Sequence, residues 1–170
     1  MIELQPGDIF CTRNPMFMGK AINFVQKFIS VDGRSRYSHS GIILSETGET
    51  FEALWRNRRQ NLFTAYQDKN VIVGRHRSMT PLLFGQAWDR IRHHEGKWYA
   101  GHRLFFFLLC PPLAKYLSVG PGVCSELTAK LWFRAGLIDF WSGVYPDFLA
   151  DMIHNWRDIE LVYEGTCPKV

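Results

Sequence analysis

Two short segments of this chain carry residue types that could together hydrolyse an amide or an ester. The first, Val123-Cys124-Ser125-Glu126, follows a Gly-Pro-Gly turn and opens an apolar run with helical spacing. A cysteine in the first turn of a helix lies where the helix dipole and free backbone N–H groups favour an anion, here the nucleophilic thiolate. The second segment, Tyr37-Ser38-His39-Ser40-Gly41-Ile42-Ile43, supplies a histidine that could act as the base. A cysteine and a sequence-distant histidine joined by the fold are a recurrent arrangement in thiol hydrolases.

Cys124 and His39 are the best candidates among four cysteines and six histidines. The remaining cysteines are predicted to be buried or incidental thiols, because none has a comparable context: Cys11, Cys110 and Cys167. His39 begins a predicted strand, where a sheet would fix its backbone. His93 and His94 fall in a charged helical stretch and are expected to face water.

A carboxylate beside the histidine would orient the imidazole and stabilise its cation. Glu52 fits this role because it lies on the next predicted strand and alternates with Phe51 and Ala53, so that it projects from the opposite face. The alternative is an ordinary solvent-facing glutamate. Glu126 follows Cys124 by two positions, points away from it on a helix, and is expected to complement the helix dipole or cap the helix.

The oxyanion formed during hydrolysis would need hydrogen-bond donors. The backbone N–H of Cys124, at a helix start, is one natural donor. Further oxyanion or substrate contacts are assigned to residues that flank the reactive pair: Tyr37, Ser38 and Ser125. Tyr37 could equally be an aromatic packing residue.

The composition is that of one globular domain spanning residues 1–170, with 46% hydrophobic and 15% aromatic residues. The net charge of +4 is mild, and no nucleic-acid motif accompanies the basic clusters at 56–59 and 90–94, which favours solvated faces. No spacing of histidines and cysteines matches a metal site, and no cofactor is expected. The absence of a signal-peptide pattern predicts a protein that is cytoplasmic as synthesised.

The periodicity predicts an α+β fold, a small antiparallel sheet packed against helices. Predicted strands cover residues 8–12, 39–44, 50–55, 71–73 and 159–163. Predicted helices cover 18–29, 81–94, 101–109, 124–135 and 146–153, with Thr80 as N-cap of the second and Gly136 ending the fourth. An apolar run within the third predicted helix is the candidate for contact with lipid or a membrane surface: Leu104, Phe105, Phe106, Phe107 and Leu108. It is too short to span a bilayer.

These motifs together resemble the circularly permuted branch of the NlpC-type papain-like cysteine hydrolases, the group that includes YiiX/YebB-like proteins. The resemblance rests on Pro6-Gly7-Asp8-Ile9-Phe10, on the His39 and Cys124 segments, on Phe51-Glu52-Ala53, on Gly96-Lys97-Trp98-Tyr99 and on Tyr145-Pro146-Asp147. It implies a permuted papain-like core in which histidine precedes cysteine, with Cys124 as nucleophile, His39 as base and Glu52 as the third member. Ala100 departs from the pattern, since the family often has an acidic residue there.

The resemblance also implies a substrate class. The leading expectation is a thiol hydrolase that cleaves an amide bond in a peptidoglycan peptide through an acyl-enzyme on Cys124. An enzyme of this kind could be an antibacterial effector, delivered outside by a dedicated secretion or phage route and matched by an immunity or delivery partner. The alternatives are a lipid ester or acyl hydrolase, or an acyltransferase, with the same site, and a non-catalytic binding module on this scaffold.

Overall fold

The structure, a computed structural model, describes residues 2–13, 36–54, 56–98 and 124–169. In those ranges the strands are β1 (Ile9–Thr12), β2 (His39–Ile43), β3 (Glu49–Ala53), β4 (Asn57–Asn61), β5 (Asn70–His76) and β6 (Ile159–Thr166). The α-helices are α1 (Leu62–Ala65), α2 (Pro81–Ile91), α3 (Cys124–Arg134) and α4 (Pro146–Asn155), and a 3-10 turn at Arg92–His94 follows α2.

The six strands form one sheet in the order β4-β3-β2-β1-β5-β6, and every neighbouring pair is antiparallel. The register aligns Thr12 of β1 with His39 of β2, and Gly41 of β2 with Glu52 of β3. The predicted α+β class, with an antiparallel sheet packed against helices, is therefore confirmed.

Both faces of the central strands are buried. One face carries Ile9, Cys11, Ile42, Phe51 and Ile72, which belong to a core shared with α2, α3 and α4. The opposite face carries Phe10, Ile43, Val71 and Val73, which pack with Leu4, Leu62 and Tyr66. This double burial explains why β1 and β5 contain consecutive apolar residues, at 9–11 and 71–73, without strict polar alternation.

Strand β4 and helix α1 were not predicted. The sequence Asn57-Arg58-Arg59-Gln60-Asn61 has low β-propensity, and the cluster at 56–59 was assigned to a solvated face. The segment is an edge strand that pairs with β3, and edge strands accept charged residues, which discourage pairing with other chains. Arg58 and Arg59 are indeed exposed, and Arg59 binds Glu49 and Glu95.

The predicted helix signals correspond to observed helix ends. The Thr80 hydroxyl accepts from the Leu83 amide at 3.2 Å, with Pro81 in the first position of α2. Gly136 has a φ of +73°, a conformation suited to the residue that follows the end of α3 at Arg134. The expectation that His94 faces water is wrong, because α2 ends at Ile91 and the following 3-10 turn directs His94 inward, where it is buried.

Several predicted features lie outside the described residues: the helices at 18–29 and 101–109, the apolar run Leu104–Leu108, and Cys110. Among the described residues, no helix is long and apolar enough to cross a membrane.

Candidate active site

The fold brings the three predicted catalytic side chains together. His39 is the first residue of β2, Glu52 lies in β3, and Cys124 is the first residue of α3. The Nε2 atom of His39 lies 2.7 Å from Oε2 of Glu52. The Cys124 side chain hydrogen bonds to the same imidazole. Since Nε2 is engaged by Glu52, the ring nitrogen left for the thiol is Nδ1. The imidazole thus lies between the thiol and the carboxylate, as a base must lie between a nucleophile and an orienting group.

Burial of this group is almost complete. The exposed fractions are 4% for Cys124, 3% for His39 and 0% for Glu52. The Cys124 thiol is therefore almost completely shielded from solvent. The low local dielectric strengthens every polar contact among the three side chains.

Gly41 makes room for the contact between His39 and Glu52. His39, Gly41 and Glu52 share one face of the sheet, the face opposite to that of Ser40, whose hydroxyl meets Thr128 of α3 at 3.2 Å. A Cβ atom at position 41 would lie 2.5 Å from Cε1 of Phe10 and 2.7 Å from Cγ of Glu52. A side chain there would displace the carboxylate or the ring.

We expect Gly41→Ala to lower kcat/KM by about 10²-fold, because a displacement of roughly 1 Å is enough to misalign a catalytic group. It should also destabilise the fold by about 1–3 kcal/mol through overpacking. Steady-state kinetics and urea unfolding measure the two effects. The matched control is Gly85→Ala in α2, where a Cβ would meet no atom within 4 Å and should leave both quantities unchanged or raise stability slightly. Full activity in Gly41→Ala would contradict this account of the site.

The Glu52 carboxylate accepts hydrogen bonds from more groups than the sequence predicted. Thr50 Oγ1 donates to Oε1 at 2.6 Å, and the Tyr66 hydroxyl donates to Oε2, the same oxygen that binds His39. Thr50 could have been found from the sequence, because residues two apart on a strand share a face. Tyr66 could not, because it follows β4 and α1, neither of which the sequence predicted.

These contacts set the protonation of the site. Burial works against a charged imidazole, but the hydrogen bonds from His39 to Cys124 and to Glu52 outweigh it and raise the pKa of His39 to about 10. Burial likewise opposes ionisation of Glu52, but the hydrogen bonds from His39, Thr50 and Tyr66 hold the pKa of this carboxyl below its ordinary value. Burial and the neighbouring carboxylate raise the pKa of Tyr66, which stays a neutral donor. At neutral pH the site therefore holds an imidazolium beside a carboxylate.

The start of α3 is fixed by hydrogen bonds. The hydroxyl of Thr128 donates to the Cys124 carbonyl at 2.8 Å, and the hydroxyl of Ser125 donates to the Val144 carbonyl at 2.6 Å. Glu126 is buried in the first turn, where its carboxylate accepts from the Gly143 amide at 3.0 Å. Ser125 and Glu126 thus tie α3 to the loop that precedes α4.

The residues before His39 are held by α4. Oδ1 of Asp147 accepts from the amides of Arg36 and Tyr37, at 2.9 and 3.2 Å. The Tyr37 hydroxyl donates to Glu164 Oε1 at 3.2 Å, away from the thiol, and the Ser38 amide donates to the Thr12 carbonyl at 3.0 Å. The sequence did not identify Asp147 as a supporting residue. The oxyanion or substrate roles of Tyr37, Ser38 and Ser125 stay predictions, and the hydroxyls of Tyr37 and Ser125 bind other groups in this structure.

Two of the remaining cysteines are buried, as predicted. Cys11 belongs to the same core as Cys124, and burial raises the pKa of its thiol well above the ordinary value. Cys167 directs its sulfur to the Leu62 carbonyl at 3.7 Å.

The chain was compared with protein-family models, curated sequences and solved structures. No protein-family model matches it, and no curated protein sequence matches it. Among solved structures, it is similar to the crystal structure of the metalloprotein YiiX, DUF1105, from Escherichia coli O157:H7. The two share 19% sequence identity and a TM-score of 0.60 over 98% of this chain and 90% of that one. In the described part of this chain, no three His, Cys, Asp or Glu side chains are grouped to hold a metal ion. The similarity to the YiiX structure assigns a YiiX-like fold to this chain.

Proposed function

We propose that this protein is a thiol hydrolase that cleaves an amide bond through an acyl-enzyme on Cys124, and that its substrate is a peptidoglycan peptide. The observation that carries the proposal is the buried chain of contacts from Cys124 to His39 to Glu52. Such a chain is the geometry of nucleophile, base and orienting group.

Acylation uses the proton that the site already holds. The Cys124 sulfur, having given its proton to His39, attacks the carbonyl carbon and forms the carbon–sulfur bond of a tetrahedral intermediate. The His39 imidazolium then donates its proton to the leaving nitrogen as the carbon–nitrogen bond breaks, leaving a thioester on Cys124. Glu52 keeps Nε2 protonated and the ring fixed, so that Nδ1 is the atom that exchanges the proton.

Deacylation reverses the role of His39. The neutral imidazole removes a proton from water as the water oxygen attacks the thioester carbonyl. The carbon–sulfur bond then breaks, which releases the carboxylic acid and leaves the Cys124 sulfur beside the His39 imidazolium for the next cycle. During both steps the backbone N–H of Cys124, at the start of α3, is placed to donate to the developing oxyanion.

The finer assignment of fold is also a proposal. The histidine strand precedes the cysteine helix along the chain, and the YiiX-like fold supports a permuted, NlpC-type papain-like core. The choice of a peptidoglycan peptide rests on the motifs that resemble those hydrolases. The lipid acyl alternative uses the same three residues and differs only in the group delivered to Cys124. The direct contact between Cys124 and His39 favours either reading over a non-catalytic module.

The test is an incubation of the purified protein with soluble peptidoglycan fragments and, separately, with phospholipid vesicles, in water enriched in ¹⁸O. Mass spectrometry should detect peptide fragments with one new amine and one new carboxyl group that carries a single ¹⁸O. Release of labelled fatty acid from the vesicles alone would replace the peptide substrate with a lipid. No product from either substrate, with the protein folded, would establish a non-catalytic module and overturn the proposal.

A further inference from the structure

A polar cavity lies at the end of the sheet where β2 begins. Its volume is about 420 Å³. Residues from β5, β6 and the chain segments beside β1 and β2 line it, among them Arg13, Arg36, Tyr37, Asn70 and Glu164. None of these residues belongs to the Cys124–His39–Glu52 group.

The charge of the cavity is positive. Arg13 and Arg36 are both exposed, and neither guanidinium has an ion-pair partner among the described residues. Among the described lining residues, Glu164 is the only carboxylate. It is occupied by other groups, because it accepts from the Tyr37 hydroxyl at 3.2 Å and lies 3.6 Å from His154 Nε2. Two unpaired guanidiniums beside an engaged carboxylate make a site for an anion.

The backbone that carries these arginines is ordered by hydrogen bonds. Asp147 holds the amides of Arg36 and Tyr37, and Thr12, which precedes Arg13, donates its hydroxyl to the Asn70 carbonyl at 2.9 Å. The guanidiniums therefore extend from fixed points, which reduces the entropy lost when they bind a ligand.

The same hydrogen bonds connect the cavity to the active site. Thr12 is the register partner of His39, and its carbonyl accepts from the Ser38 amide. Arg13 and Arg36 thus flank the strand pair that ends at the catalytic histidine. Two extended residues, Tyr37 and Ser38, lie between Arg36 and His39, so the two positions are roughly 10 Å apart. An extended substrate of about this length would reach from the cavity toward Cys124.

We propose that this cavity binds an anionic group of the substrate, a carboxylate or a phosphate, and so positions the bond to be cleaved at Cys124. The positioning role rests on the proposed hydrolase function, but the binding of an anion does not require turnover. Guanidinium groups recognise both anions through paired N–H donors, so the two sources share one chemistry at this site.

The first experiment measures binding in a protein that cannot react. The Cys124→Ala chain, labelled with ¹⁵N in its arginine side chains, is titrated with inorganic phosphate and with acetate and followed by NMR. Two arginine signals should shift and saturate. Arg36→Gln should weaken binding about tenfold, the effect of losing one charge-assisted hydrogen bond. Arg13→Gln, which removes the other guanidinium, should do the same independently.

Two matched variants make the measurement specific. Arg77→Gln removes an equal charge just beyond the opposite end of β5 and should leave binding unchanged. Glu164→Gln removes a carboxylate of the lining and should strengthen binding several-fold, because a like charge no longer opposes the anion. Equal affinities in Arg36→Gln, Arg13→Gln and Arg77→Gln, or no saturable shift, would overturn the proposal.

The second experiment identifies the source of the anion with the wild-type protein. A peptide with a free carboxylate is compared with its amide, and phosphatidylglycerol in nonionic detergent micelles is compared with neutral diacylglycerol in the same micelles. Whichever pair is cleaved, its anionic member should show the lower KM. Arg36→Gln should reduce that preference about tenfold while changing kcat little, because Arg13 still binds the anion. An unchanged preference in Arg36→Gln would overturn the positioning role. Anion binding without any cleavage would refute the proposed hydrolase and leave the anion site standing.

Discussion

Cys124→Ala is expected to abolish hydrolysis, with kcat/KM falling by on the order of 10⁴–10⁶. The sulfur is the only proposed nucleophile, and alanine leaves nothing to form the acyl-enzyme. The measurement is product formation by mass spectrometry, together with capture of a covalent acyl adduct in the wild-type protein. The adduct should map to the peptide that contains Cys124 and should be absent from the variant.

Cys11→Ala is the control for this result. Cys11 is a buried thiol in the same core, and its raised pKa keeps it protonated and unreactive. Its replacement should leave activity within about twofold of wild type, with a stability cost on the order of 1 kcal/mol from the small cavity. Equal loss of activity in the two variants would refute the assignment of Cys124 as the nucleophile.

Glu52→Gln is expected to lower kcat/KM by on the order of 10²–10⁴. The substitution keeps the shape of the side chain but removes the charge that stabilises the His39 imidazolium. The pKa of His39, about 10 in the wild-type protein, should fall. The alkaline limb of the pH–activity profile should therefore move to lower pH, and ¹H–¹⁵N NMR of the His39 ring should report the same change.

The stability of the protein should respond to pH in a defined direction. A histidine whose pKa is raised on folding stabilises the protein fully below its unfolded pKa and loses that contribution as the pH rises through its folded pKa. For His39 this window runs from about 6.5 to about 10. Urea unfolding across that window should show a decline in the wild-type protein and a smaller decline in Glu52→Gln.

Tyr66→Phe tests the hydrogen bond to Glu52 separately from the charge of Glu52. It removes one hydrogen bond to Oε2 but retains the carboxylate and the aromatic contacts with Phe10 and His39, whose ring centroids lie 5.4 and 6.0 Å away. Its effect on the alkaline limb should be smaller than that of Glu52→Gln. A larger effect from Tyr66→Phe would mean that the hydroxyl, and not the carboxylate charge, controls His39.

The three candidate catalytic residues could be predicted from the sequence because each has a local signal. Cys124 stands in front of a helical run, and α3 begins at that residue. His39 stands in front of a β-rich run, and β2 begins there. Glu52 alternates with Phe51 and Ala53, and these two pack in the core shared with the helices while Glu52 lies against Tyr66 and Phe10 on the other face.

The supporting residues lacked such signals. Tyr66 lies 14 positions from Glu52 along the chain, and Asp147 lies 111 positions from Arg36. Both contacts depend on how α1 and α4 are placed. Strand β4 escaped prediction because a polar edge strand is stabilised by its partner β3 and has no apolar periodicity of its own. The inward turn of His94 likewise depends on the 3-10 geometry after α2.

Side-chain type, helix starts and strand alternation are local properties, so the sequence alone predicted which groups could do chemistry and which elements carry them. The meeting of the three groups, the space that Gly41 leaves for their contact and the hydrogen bond from Tyr66 to Glu52 became visible only in the folded chain. The fold also sets Arg13 and Arg36, which have no ion-pair partner in the described part of the chain, beside the strand that begins at His39. Those outcomes depend on strand register, helix placement and burial, which arise from contacts between distant segments and have no signature in any one of them.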